Sequence, residues 1–176
     1  MKLFQEEGYA GISMRRLAQE SGCTVMTLYK YYARKIDVLR DLWGQVFAEL
    51  FDELERTASR KQTAHERLQA IALGYVAFWL ARRDRYFMVF MSSGVSQSDV
   101  SVFVQDDRVL SRFGLFRQTL AKVLGGQADE AELTLKSELL LCALNGIAHN
   151  LITISAYPWP DPKRLVQAAV AGVIKA

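Results

Sequence analysis

The segment from Gly22 to Lys35, GCTVMTLYKYYARK, combines aromatic rings, hydroxyl groups and positive charges within a short stretch. Lysine and arginine attract phosphate groups, and tyrosine and threonine hydroxyls donate hydrogen bonds to phosphate oxygens. Positive residues also outnumber negative ones between Ser13 and Arg40. The positive residues there are Arg15, Arg16, Lys30, Arg34, Lys35 and Arg40. These side chains therefore favour a phosphate-rich partner.

Two short helices are needed to position these side chains. Ser13 is a suitable N-cap for a helix that stops at Gly22, and Thr24 is a suitable N-cap for the helix that follows. Leu17 in the first helix and Leu28 in the second supply apolar contact between them. This spacing predicts a helix-turn-helix.

Apolar residues at helical spacing dominate the rest of the 176-residue chain, and prolines occur only between residues 158 and 162. The pattern predicts an all-α protein. We expect a three-helix helix-turn-helix module at residues 1–45, whose first helix is truncated at the chain start, and a larger helical domain at residues 46–176. Within that domain the longest helix is predicted at residues 128–156 and the last at residues 162–175.

The composition argues against several classes of protein. The net charge is +3, and Cys23 and Cys142 lack the paired spacing of a disulfide framework or a zinc site. We therefore expect a cytoplasmic protein without a metal or cofactor. Residues 139–157 approach the length of a membrane span, but Asn145 and His149 would be costly in lipid. A buried or subunit-interface helix is the better interpretation.

The N-terminal segment at residues 3–39 resembles the helix-turn-helix module of the TetR family of bacterial transcriptional repressors. The matching elements are LF..EGY, S.R.LA...G, TLY.YY and K..VL, in the same order and spacing. The resemblance covers about the first quarter of the chain. It implies a homodimeric, ligand-responsive repressor that binds a pseudo-palindromic DNA operator and is released by a small apolar or amphipathic effector.

The resemblance also implies roles for individual side chains. Phosphate contacts are expected from Thr27, Tyr29, Tyr31 and Lys35, and base contacts from Arg15, Val25, Met26 and Lys30. Ser13, Arg16 and Thr24 complete the predicted DNA-binding set. The apolar pair Val25–Met26 departs from the family, which often has a polar residue followed by a small one or proline. Arg34 occupies a position where relatives often carry a Ser or Asn cap.

The second domain is rich in aromatic residues and methionine, which suit an adaptable apolar pocket. The predicted pocket comprises Tyr75, Phe78, Trp79, Tyr86, Phe87, Phe90, Met91, Phe113, Phe116, Asn145 and His149. An ordinary helical core is the alternative interpretation of the same residues. Small residues in the helices at about 128–156 and 162–175 permit close helix approach, so these two helices are expected to form the homodimer interface.

The sequence also bears on two functional classes other than a regulator, namely an enzyme and an interaction protein. Cys142 and His149 lie two helical turns apart, about 10 Å, which is too far for a nucleophile and its base. Because the sequence also shows no catalytic triad, metal cluster or phosphate loop, we do not expect an enzyme. A helical interaction protein that has lost DNA binding remains the alternative to a regulator.

Overall fold

The computed structural model describes residues 2–92, 94–96, 100 and 107–175. Every regular element in this part of the chain is an α-helix, so the predicted all-α fold is confirmed. The helices are α1 (Lys2–Gly11), α2 (Met14–Glu20), α3 (Val25–Tyr31), α4 (Lys35–Ser59), α5 (Ala64–Ala81), α6 (Arg83–Phe90), α7 (Asp107–Leu124), α8 (Glu130–Thr153) and α9 (Pro162–Lys175). None of the described helices combines the length and apolar character that crossing a membrane requires.

The chain divides into two compact units, of which the first comprises Met1–Ala48 and Asp84–Leu110. It contains α1, α2, α3, the first half of α4, and nearly all of α6. Its described core is apolar and includes Leu3, Phe4, Ile12, Leu17, Ala18, Leu28, Ile36, Leu39, Trp43 and Met88. A buried hydrogen bond from Trp43 Nε1 to the Met88 carbonyl, 3.1 Å long, joins α4 to α6 inside this unit.

Helix α1 contains a break at a glycine. Gly8 adopts φ of 66° and ψ of 166°, a conformation that favours glycine, and the helix resumes after it to end at Gly11. The sequence indicates a glycine C-cap that ends the first helix at Gly8, and the structure shows instead a break there with helix on both sides.

The second unit comprises Glu49–Arg83 and Ser111–Ala176. Helices α5, α8 and α9 pack against one another in it. The largest fully buried side chains of the described part of this unit are Trp79, Tyr75, Phe51, Phe78, Phe116, Leu50, Leu54, Leu68, Ile71, Leu120 and Leu140. The division predicted between residues 45 and 46 is a functional one, and it stays a prediction beside these packing units.

Side-chain caps define where the helices of the second unit begin. Thr63 and Glu66 form a reciprocal capping box at the start of α5, with each side chain bonded to the other residue's main-chain N–H at 3.1 Å and 3.0 Å. The hydrogen bond from the Thr63 main chain lowers the pKa of Glu66 below its usual range. Asp129 caps α8 by accepting a 2.8 Å hydrogen bond from the main-chain N–H of Glu132.

Candidate nucleic-acid interface

The turn between α2 and α3 is a Schellman motif built on a glycine. Gly22 adopts φ of 65° and its N–H donates to the Gln19 carbonyl at 3.2 Å, while the N–H of Cys23 donates to the Ala18 carbonyl at 3.0 Å. This pair of bonds satisfies the last carbonyls of α2 and turns the chain sharply. The predicted role of Gly22 in stopping the helix follows from this geometry.

Both helices begin at the residues that the sequence indicated. The Ser13 hydroxyl accepts a hydrogen bond from the main-chain N–H of Arg16 at 3.2 Å, and the Thr24 hydroxyl accepts one from that of Thr27 at 3.1 Å. The Thr24 and Thr27 hydroxyls also lie 2.8 Å apart and hydrogen-bond to each other. The two caps fix the residues at which α2 and α3 begin.

Helix α3 has one packed side and one exposed side. Leu28 is buried against α2, whose Leu17 and Ala18 are buried as well. On the other side, Met26 is 73% exposed and Tyr31 is 77% exposed. Tyr29, Thr27 and Lys30 are also exposed, and Val25 is half-buried. Five of the six predicted contacts on α3 are thus exposed, Val25 is the more covered one, and the cap Thr24 just before the helix is exposed as well.

The end of α3 is tied to α4 through a phenol. The Tyr32 hydroxyl donates a 2.9 Å hydrogen bond to Oδ2 of Asp41, and this bond to the carboxylate is the main cause of the raised pKa of Tyr32. Sequence spacing does not predict this bond, because Asp41 becomes a neighbour of Tyr32 only when α4 packs beside the end of α3. The tie fixes the direction of α3 relative to α4.

The two adjacent arginines of α2 have different surroundings. The Arg16 guanidinium pairs with Glu7 at 3.0 Å and with Glu20 at 3.2 Å, and its pKa is raised chiefly by the hydrogen bond to Glu7. Arg15 is exposed, and among the described residues it has no ion-pair partner. The structure therefore leaves the positive charge of Arg15 more available than that of Arg16.

The first residue of α4 reaches back to the end of α1. Lys35 Nζ donates to the Tyr9 carbonyl at 2.5 Å and to the Ile12 carbonyl at 2.7 Å, and it lies 4.2 Å from the centre of the Tyr9 ring. Lys35 is half-buried, and this burial lowers the pKa of its ammonium group. Sequence reasoning placed Lys35 at the DNA backbone and did not anticipate these contacts.

The N-terminus of α4 is capped in an unexpected way. Arg34 precedes the helix, and its main-chain N–H donates to Oδ2 of Asp37 at 2.9 Å. The Arg34 guanidinium also bonds to Oδ1 of Asp37 at 3.3 Å. Asp37 therefore supplies one half of a capping box, which compensates for the absence of a Ser or Asn side chain at position 34.

The predicted ligand-pocket residues are distributed over both units. Tyr86 is buried in the first unit, and Phe87, Phe90 and Met91 are exposed there. In the second unit Tyr75, Phe78, Trp79 and Phe116 are buried, whereas Phe113, Asn145 and His149 are half-buried. Their pocket stays a prediction.

The structure brings several of the second-unit residues together. The Tyr75 ring centre lies 5.7 Å from that of Phe116 and 6.2 Å from that of Trp79, both in edge-to-face arrangements. The Tyr75 hydroxyl donates a 2.7 Å hydrogen bond to Oδ1 of Asn145 on α8. A polar pair therefore lies beside a cluster of buried aromatic rings.

A groove that the sequence did not suggest runs along α5. Its volume is about 470 Å³, and it is lined by Thr57, Lys61, His65, Glu66, Gln69, Ala70, Leu73, Gly74 and Ala77. None of the predicted pocket residues lies in this lining. Most of these residues repeat at helical spacing on α5, but that spacing alone does not show whether a helix face is covered, so only the packing of the second unit reveals the groove.

The described residues hold no group of three or more His, Cys, Asp or Glu side chains arranged for a metal ion. The chemistry of the helix-turn-helix is instead that of an exposed helix face carrying hydroxyls, rings and cations. This combination suits hydrogen bonding to phosphates and contact with base edges.

The N-terminal residues 1–42 match the family model of the bacterial regulatory proteins of the tetR family. The HTH-type transcriptional regulator HbdR of Aromatoleum sp. strain CIB is 25% identical over 125 residues, which are 71% of this chain and 55% of HbdR. The chain spans about half the length of the curated relatives that it matches. The resemblance predicted for the helix-turn-helix segment is therefore confirmed.

Solved structures share the fold over nearly the whole chain. A transcriptional regulator from Pseudomonas aeruginosa PAO1 has a TM-score of 0.78 at 20% identity, covering 99% of this chain and 86% of its own. The regulator FadR from Bacillus subtilis, solved with stearoyl-CoA, has a TM-score of 0.78 at 14% identity, covering 98% and 92%. Regulators of the TetR family are among the other structures with this fold.

Replacing Gly22 with alanine tests the turn. No atom outside its immediate neighbours lies within 4 Å of an added Cβ, so the cost comes from the positive φ alone. We expect Gly22→Ala to lower the free energy of unfolding by about 1–2 kcal/mol, measured by urea denaturation at fixed protein concentration. Gly44→Ala is the control, because its helical φ and open surroundings predict a gain of about 0.5–1 kcal/mol. Equal stability of the two variants would contradict a left-handed requirement at position 22.

Proposed function

We propose that this chain, which has the N-terminal domain and the fold of a tetR-family transcriptional regulator, is a ligand-responsive repressor. It binds a pseudo-palindromic operator as a homodimer in the cytoplasm, and a small apolar or amphipathic effector releases it from DNA. The observation that carries the proposal is the exposed side of α3, held in place by the Schellman turn.

The exposed residues of α3 have complementary roles in this proposal. Thr27, Tyr29 and Tyr31 hydrogen-bond to phosphates, which position the protein without reading sequence. Lys30 and, from α2, Arg15 reach the major groove, where both can pair with guanine. Val25 and Met26 offer apolar surface to a thymine methyl. Arg16 pairs with Glu7 and Glu20, so its charge serves contacts within the module and not the reading of bases.

The homodimer forms through α8 and α9. Leu135 is 66% exposed and Leu139 is 48% exposed on α8, and Cys142 follows at helical spacing on the same stripe. On α9, the small residues Ala168 and Gly172 are exposed. An isologous interface between two copies would cover these surfaces and place two α3 helices at adjacent turns of DNA.

The effector proposal rests on the second unit. A buried aromatic cluster next to the hydrogen-bonded pair of Tyr75 and Asn145 offers apolar surface and a polar anchor to an amphipathic molecule. FadR of Bacillus subtilis, which shares the fold, was solved with stearoyl-CoA. We therefore propose a long-chain acyl group as the apolar part of the effector. An effector that binds better to a form with wrongly spaced α3 helices would release the operator.

Selection of operators from random DNA duplexes, followed by binding measurements across salt concentrations, tests the proposed DNA binding. We expect sequence-specific binding that weakens steeply as salt increases. Arg15→Ala should relax preference at one base-pair position, with a loss of discrimination of about 1–3 kcal/mol. Tyr31→Phe should weaken binding to all sequences alike, because it removes a phosphate contact.

Arg16→Ala is the matched control for Arg15→Ala. Because the Arg16 guanidinium pairs with Glu7 and Glu20, we expect the pattern of base preferences to stay as in the unchanged chain. Identical losses of preference in both arginine variants would contradict the proposed division of roles. Absence of any sequence preference would favour the alternative, a helical interaction protein that has lost DNA binding.

Charge introduced on α8 tests the dimer. Leu139→Asp places an uncompensated carboxylate in the proposed interface, so sedimentation should show a monomer at concentrations where the unchanged chain is a dimer. Ala48→Asp, at an exposed position of α4, is the control and should remain dimeric. A dimeric Leu139→Asp variant would place the interface elsewhere.

Stearoyl-CoA is the first effector to test, with coenzyme A and stearate as separate controls. Binding should raise the melting temperature, since a ligand at one hundred times its Kd stabilises the folded state by about 2.7 kcal/mol. It should also release a labelled operator. Tyr75→Phe should weaken both responses because it removes the hydroxyl bonded to Asn145, whereas Tyr157→Phe, at an exposed position, should not. An unchanged melting temperature and intact DNA complex would exclude this class of effector.

A further inference from the structure

We propose that Lys35 is a positioning residue for the recognition helix α3 and is not a contact to the DNA backbone. The proposal rests on the proposed DNA binding. It concerns three contacts, named here the Lys35 cap: the hydrogen bonds of Nζ to the Tyr9 and Ile12 carbonyls and its approach to the Tyr9 ring.

The contacts of the Lys35 cap use most of the hydrogen-bonding capacity of the ammonium group. A lysine has three N–H donors, and two of them serve the carbonyls at 2.5 Å and 2.7 Å. The centre of the Tyr9 ring lies 4.2 Å from the same nitrogen, within the range of cation–π attraction. The side chain is half-buried. Little of this charge faces outward to a phosphate.

The two acceptors are main-chain carbonyls at the C-terminal end of α1 and just after it. Tyr9 lies in the last turn of α1, after the break at Gly8, and Ile12 lies in the connection to α2. Carbonyls at the C-terminal end of a helix carry partial negative charge and need donors, and a lysine ammonium meets both needs. The Lys35 ammonium group therefore stabilises the connection between α1 and α2.

The Lys35 cap closes a ring of contacts around α3. It joins the α1–α2 connection to the start of α4, and the bond from Tyr32 to Asp41 joins the end of α3 to α4. The contact of Leu28 with α2 completes the ring. Loss of the Lys35 cap would free the α1–α2 connection from α4, so α3 would lose its fixed direction while its own side chains stayed intact.

The segment after α6 touches the same place. A Cβ built on Gly94 would lie 3.6 Å from Cβ of Ala10 and 3.8 Å from Cδ1 of Tyr9. The ring that Lys35 contacts is thus also a neighbour of residues outside the helix-turn-helix. The end of α1 is contacted by Lys35 of α4 and lies next to Gly94 of the segment after α6. Contacts at this end of α1 can therefore restrain the direction of α3.

The test compares Lys35→Met with Lys30→Met in the full chain. Both changes remove an ammonium group and keep a long apolar stem. Binding to the selected operator and to an unrelated duplex is measured as a function of salt, and amide exchange of residues 9–17 is measured without DNA. The folded state of each variant is verified by urea denaturation.

A positioning residue and a cation that lies against the DNA give different results, because a cation at the DNA surface, in the groove or on the backbone, displaces counterions. For Lys35→Met we expect operator affinity to fall about ten- to a hundred-fold, as when hydrogen bonds from a charged group are lost, with an unchanged salt slope. Binding to the unrelated duplex should change little, and exchange of residues 9–17 should accelerate. For Lys30→Met we expect the salt slope to fall by about one, with exchange unchanged.

A salt slope that falls by about one in Lys35→Met, with equal losses on both duplexes and normal exchange, would overturn the proposal. Reductive methylation of the unchanged chain provides a measurement that does not depend on a variant. Lys35 should react more slowly than Lys30 without DNA, and operator binding should protect Lys30 alone. Rapid reaction of Lys35 that DNA suppresses would also overturn the proposal.

A chain that binds no operator would refute the proposed function. The structural role of Lys35 could still be tested without DNA, by methylation and amide exchange. Slow methylation of Lys35 and faster exchange in Lys35→Met would still support the Lys35 cap in that case. Rapid methylation with unchanged exchange would reject it.

Discussion

The direction of α3 is the constraint on which the rest of the helix-turn-helix depends. The helix has seven residues, Leu28 is its buried side chain, and a helix of this length is marginal when isolated. Its geometry must therefore come from its surroundings. The Schellman turn at Gly22 and the Thr24 cap fix its start, and the bond from Tyr32 to Asp41 fixes its end. Contacts at the two ends of α3 therefore supply the stability that a longer helix would gain from its own backbone hydrogen bonds.

The distribution of charge follows the same logic. Arg16, Arg34 and Lys35 serve the fold, because they pair with Glu7 and Glu20, with Asp37, or with main-chain carbonyls. Arg15 and Lys30 stay exposed on the helix-turn-helix. The module's basic residues thus divide into cations that hold helices together and cations that remain available to a partner. A count of basic residues in the sequence cannot make this distinction.

The second unit shows how one set of residues can fit two interpretations. Tyr75, Trp79 and Phe116 are fully packed, as expected of a helical core. Yet Tyr75 also places its hydroxyl against Asn145, a polar contact that a purely apolar core would not need. The separate groove along α5 has a different lining and arises from the packing of small residues near Gly74.

The sequence by itself determined the features that depend on neighbours along the chain. The all-α class, the break at Gly8, the caps at Ser13 and Thr24 and the glycine turn are encoded within a few residues of where they act. The family resemblance of residues 3–39 also lies within one continuous segment, and the match over residues 1–42 agrees with it.

The tertiary structure decided what each polar side chain contacts. Lys35 meets carbonyls 26 and 23 residues away, Tyr75 meets Asn145 across 70 residues, and Tyr32 meets Asp41 across a change of helix direction. Periodicity predicts which face a residue occupies, but it does not predict which distant atom approaches that face. For this reason the sequence indicated a basic, hydroxyl-rich segment, whereas only the folded chain showed which of its charges already pair with other groups of the same unit.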